Sequence, residues 1–129
     1  MSVRRIITCW RVVASTGLVC ANFAWPAAAQ PIVCPMPQKI SGPGVLKETP
    51  AQIAETGRTL ASGDGVNRVP NVVAELRKRY PGVSDAELEN YLVTAYCPEV
   101  AKLNGLGAGE QRARVDLFAH QASMAVHGH

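Results

Sequence analysis

From Ser84 to Leu103 the apolar residues Leu88, Tyr91, Leu92, Ala95 and Tyr96 recur at spacings of three and four, the repeat of one helix face. Local signals at the N-terminal end agree with a helix. Ser84 and Glu87 have capping-box spacing, in which hydroxyl and carboxylate each take a free amide of the first turn, while Val83 and Leu88 occupy hydrophobic-staple positions. Asp85, Glu87 and Glu89 place negative charge at the positive end of the helix dipole. Pro98, which lacks an amide hydrogen, is expected to end or kink the helix one residue after Cys97. The stripe predicts that Leu92 is core and Glu89 is solvated.

Three further helices follow from the same kind of pattern. Thr49-Pro50-Ala51-Gln52 supplies a cap, a proline at the first helical position and glutamine at the third, with Ile53, Leu60 and Ala61 on one face. Gly57 lies on that face and is read as permitting close packing, and Ser62-Gly63-Asp64-Gly65 is expected to stop the helix. Val69, Val72, Val73, Leu76 and Tyr80 predict a helix beginning around Pro70 and ended by Pro81-Gly82. The short connection to Ser84 predicts an antiparallel pairing of that helix with the one after it. Last, Gly107 caps a helix with Glu110 at its third position, and from Glu110 to about Val126 the residues Val115, Phe118, Ala122 and Ala125 share one side. Leu117 and Met124 are expected to widen its apolar face, and Arg112, Asp116 and His120 to face water. The expectation is an all-α domain over residues 49–126, with a disordered C-terminus at 127–129.

Upstream, the pattern changes. Gln30 to Glu48 holds four prolines and two glycines, which predicts an extended arm over residues 30–48, with Ile32 and Val33 docking near Cys34. Residues 1–29 read as a signal peptide: Arg4, Arg5 and Arg11 lead, Val12 to Ala24 is largely apolar, and Ala27-Ala28-Ala29 offers a cleavage site before Gln30. Once the leader is cleaved, no stable membrane span is expected. Ser15, Thr16, Asn22 and Pro26 interrupt the stretch, and a spanning helix needs ~20 mostly apolar residues.

The leader changes the meaning of charge and cysteine content. The whole chain carries 13 basic and 10 acidic side chains. Three of the arginines belong to the leader, so the remainder is balanced apart from histidine. Nucleic-acid binding needs a basic face, and the one cluster, Arg77-Lys78-Arg79, reads as a solvated last helical turn, so no nucleic-acid partner is expected. Cys9 and Cys20 lie in the leader, leaving Cys34 and Cys97 in a chain bound for an oxidising compartment, where a disulfide is expected. On the chain-entropy model, closing a loop of about 63 residues contributes roughly 4 kcal/mol. A domain of about 100 residues whose core is mainly Leu, Val and Ala gains from such a staple.

Candidate chemistry is sparse. The chain has no G-x-S-x-G, no H-E-x-x-H, no G-x-G-x-x-G and no C-x-x-C-H. Asp116 precedes His120 by four residues and could orient its imidazole, but no nucleophile accompanies them, and no enzyme is expected. His127 and His129 flank Gly128, and Met36 follows Cys34 by two residues; these are weak donors, and neither metal nor cofactor is expected.

A signal, roughly a hundred further residues, several helices, and Cys34 in an early segment with Cys97 in a later helix form a layout that resembles the HdeA-type periplasmic acid-stress chaperones. The resemblance implies that acid protonates Glu87, Glu89 and Glu99 and loosens packing until apolar faces open. The reading as a whole is a periplasmic or secreted helical protein, cleaved between Ala29 and Gln30, that binds an unknown protein or envelope component without catalysis. An acid-stress chaperone and a metal or haem carrier are the alternatives.

Overall fold

A computed structural model describes residues 31–36 and 46–128; the segment expected to be a signal peptide, most of the expected arm and His129 lie outside the described residues. Among the described residues the fold is all-helical: α1 (Pro50–Ala61), α2 (Gly65–Arg79), α3 (Asp85–Ala101) and α4 (Ala108–His127).

The capping chemistry forms as the sequence implies. Ser84 Oγ accepts from the Glu87 amide at 3.3 Å, and Glu87 Oε2 takes the Ser84 amide at 2.9 Å. Thr49 and Gln52 make the same reciprocal pair at the start of α1. Between α2 and α3, Tyr80-Pro81-Gly82-Val83 closes a turn by a Val83 amide to Tyr80 carbonyl bond of 3.1 Å, with Gly82 at φ 87°. Proline second and a left-handed glycine third are the residues such a turn requires.

Two boundaries differ from the sequence reading, and at Pro98 the helix continues where an end or a kink was expected. α2 begins at Gly65 and not near Pro70, which lies inside it. Gly65 is the start because a Cβ there would fall 1.7 Å from the Leu60 carbonyl oxygen, so only glycine lets α2 leave α1 this tightly. Burial of Val69 repays the hydrogen bond that Pro70 forfeits. α3 likewise passes Pro98 and runs to Ala101, held by buried Val100 and by Cys97. Pro98 leaves the Thr94 carbonyl without its helical donor, and the buried Thr94 hydroxyl finds no partner either. His127, placed in a disordered tail by the sequence reading, is the last residue of α4, and Gly128 caps it in the left-handed region at φ 73°.

Packing order is the largest departure. α3 packs along α1 and α4, and α2 packs on α4 and α1, whereas α2 and α3 barely touch. The expected α2–α3 hairpin is therefore replaced by a ring in which those two consecutive helices stand diagonally opposite. The core between them holds Leu60, Val69, Val73, Leu76, Leu88, Tyr91, Leu92, Phe118, Ala122 and Val126. Tyr96, half-buried, stacks on Phe118 with ring centroids 3.9 Å apart. Ala95 completes the buried stripe of α3.

Cys34 and Cys97 are joined, with sulfurs 2.08 Å and Cα atoms 5.6 Å apart, so the arm is tied to the buried side of α3 near its C-terminal end. Ile32 is half-buried beside this tie, but Val33, expected to dock with it, is 93 % exposed. Extended backbone sends alternate side chains to opposite sides, so the two cannot both face the core.

Candidate functional site

Two polar junctions and one apolar flank stand out on this frame. The first junction forms where the chain enters α1. The Glu48 side chain is 2 % exposed, and its Oε1 accepts from Arg79 Nη1 at 2.7 Å and from Tyr80 Oη at 2.8 Å. It pins the residue before the α1 cap to the C-terminal turn of α2. Burial, helped by the Glu48 carboxylate, pushes the Tyr80 phenol above its ordinary value. Deeper in, Tyr91 Oη lies 3.0 Å from Thr56 Oγ1, and burial raises that phenol too, the Thr56 bond opposing it.

The second junction gathers the ends of three helices. Arg77 Nη2 donates to Asp85 Oδ1 at 2.7 Å and to the Val126 carbonyl at 2.8 Å. His127 stands between two carboxylates of α3, its Nδ1 3.5 Å from Asp85 Oδ2 and its Nε2 2.8 Å from Glu89 Oε1. Glu89 is half-buried here, against the expectation that it is solvated. Arg77 and Arg79 are likewise engaged by carboxylates, so the basic run is not simply a solvated face; Lys78 is exposed.

Between α1 and α2 a shallow cleft of about 200 Å³ is lined by Glu55, Thr56, Thr59, Val72, Glu75, Leu76 and Arg79. Glu55 is already paired with Arg58 on its own helix.

The apolar flank lies on α4. Leu117 and Met124, expected to extend the buried face, are 59 % and 46 % exposed. Seven residues apart, they project from one side of the helix. The Val115, Phe118, Ala122 and Ala125 side is turned inward as expected, although Val115 and Ala125 are only half-buried. Ala61 of α1, placed on the inner face by its spacing, is exposed.

The remaining candidates do not converge. Asp116 and His120 both face solvent. Met36 is 82 % exposed, and its neighbour Cys34 is consumed by the bond to Cys97. His127 is occupied by Asp85 and Glu89, and His129 lies outside the described residues. No group of three His, Cys, Asp or Glu among the described residues is arranged to hold a metal ion, and no described helix is long and apolar enough to cross a membrane.

Sequence reasoning missed both junctions. Their partners are separated by 31 and 32 residues around Glu48 and by 49 from Arg77 to Val126, so no local spacing announces them. Comparison with protein-family models, curated proteins and solved structures finds no match.

Proposed function

We infer that this is a small exported protein, periplasmic or secreted, that binds a protein or another component of the cell envelope and does no catalysis. The observation that carries the reading is the flank of Leu117 and Met124, apolar side chains held facing water on a well-packed helix. Methionine and leucine on such a surface are adaptable contact residues. Support for the compartment comes from the leader-like residues 1–29 and from the bonded Cys34–Cys97 pair, which fits an oxidising environment. The test places a photoreactive residue at Leu117 and, as a control, at exposed Arg112, in cells making the full chain. A discrete adduct from position 117 alone is expected. No adduct, or the same products from both positions, refutes the reading.

A second reading, the acid-stress chaperone, is favoured by one feature: carboxylates hold the helix junctions. Glu48 bridges to Arg79 and Tyr80, and Asp85 and Glu89 face Arg77 and His127. Neutralising these carboxylates in acid removes their attraction for the cations and leaves the molecule positively charged. On this reading a dye for exposed apolar surface binds at a pH of about 2–3 while helical signal persists. No dye binding there rules it out.

A further inference from the structure

We propose that His127 is a proton-operated latch fastening the last turn of α4 to the first turns of α3. Both ring nitrogens face carboxylate oxygens, Nδ1 towards Asp85 and Nε2 towards Glu89. A neutral imidazole carries one N–H, so one of its nitrogens meets a carboxylate with a lone pair. Only the imidazolium offers a donor to each side. Glu89 Oε1 sharpens the requirement: it is shielded from solvent and has no hydrogen bond of good geometry, and the nearest donor is His127 Nε2. An anionic oxygen in that position needs a cation beside it.

Among the described residues the charged groups facing the ring are Asp85 and Glu89 from α3, with Arg77 from α2 behind Asp85; no charged group of α1 pairs with it. Arg77 donates to Asp85 Oδ1 and to the Val126 carbonyl without involving the histidine. It therefore anchors the neighbouring turn while leaving Glu89 to His127. The placement also suits the helix ends, since a cation at the C-terminus of α4 meets anions at the N-terminus of α3.

The direction follows. The latch is closed while the imidazole carries its second proton and opens as rising pH removes that proton. Histidine is the side chain whose charge ordinarily changes near neutral pH, which makes it the group that switches. Opening loosens the last turn of α4, Met124 to His127, and leaves the ring of helices intact.

Amide hydrogen exchange on the full chain tests this, with protection measured against unstructured-peptide rates at pH values of about 5.5 and 8. In the native protein the amides of Met124 to His127 should be roughly two- to five-fold better protected at the lower pH, the scale of a partly exposed ion pair. Amides from Phe118 to Ala122 should not change. In His127→Gln the difference should vanish, and in Glu89→Gln it should shrink. Equal protection at both pH values in the native protein overturns the proposal, as does a difference that survives in His127→Gln. Ring nitrogen shifts of the native protein give a check that no variant can confound. The loss of protection must follow the titration of His127, and a loss that follows exposed His120 instead overturns the latch.

Discussion

Leu92 is fully enclosed at the middle of α3, touching the core from a position that the stripe of Leu88, Tyr91 and Ala95 also defines. Leu92→Ala should cost ~2–5 kcal/mol, as removal of a buried leucine generally does. A urea midpoint shift measures it, and a loss no larger than that of exposed Ala86→Gly would place the core elsewhere. Two phenols, buried Tyr91 and half-buried Tyr80, make a pH prediction. Tyr91 and Tyr80 are both raised above the ordinary phenol value, chiefly by burial. A raised folded value means that the fold favours the neutral phenol. The stability this represents is therefore complete below the unfolded value of about 10 and is lost as pH climbs through the folded value. Denaturant midpoints should fall between pH values of about 9.5 and 11.5, and less steeply in Tyr91→Phe. An identical slope in the variant would mean that Tyr91 does not contribute. The inward stripe was legible because it is local. Glu48 was not, because its burial depends on Arg79 and Tyr80 arriving from a different helix.

At the scale of elements, helix existence and caps could be read from short-range chemistry, whereas helix extent and pairing could not. Pro70 and Pro98 each forfeit one backbone bond, and the sequence alone cannot weigh that against the burial of Val69 and Val100. Nor does a short α2–α3 loop dictate contact: each of these helices packs instead on α1 and α4. Gly57 shows where pairing is enforced. A Cβ at Gly57 would sit 2.2 Å from the Ala95 carbonyl oxygen and 3.2 Å from Glu99 Cγ, so α1 and α3 approach only because no side chain intervenes. Gly57→Ala should therefore destabilise by ~1–3 kcal/mol, although alanine is the better helix former. Thermal melts of this variant and of Gly109→Ala, where a Cβ meets nothing within 4 Å, separate the two effects. A stabilised Gly57→Ala would show that the helices are not in close contact there.

Across the whole molecule, the Cys34–Cys97 bond ties the arm, whose residues Val33 and Met36 are exposed, to a ring of four helices. It closes a loop spanning 63 positions, within which α1, α2 and most of α3 lie. Cys34→Ser with Cys97→Ser should lower stability by roughly 2–5 kcal/mol while keeping the helical signal. Loss of the helical signal in this double variant would mean that the ring cannot form without its staple. The flank at Leu117 and Met124 and the histidine junction lie at opposite extremes of what the sequence disclosed. The flank's residues were visible but assigned to the wrong side, since a helical repeat shows which residues align and not how wide the buried arc is. The junction required three helix ends to meet.

The central claim is an exported helical domain closed by one disulfide, and the intact mass of protein recovered from the cell envelope tests it most directly. The mass is taken with and without reduction and thiol alkylation. The account predicts a chain beginning at Gln30 that takes no alkyl group until reduced and then takes two, at Cys34 and Cys97. A chain retaining residues 1–29, with thiols that alkylate before reduction, would contradict both the export and the staple.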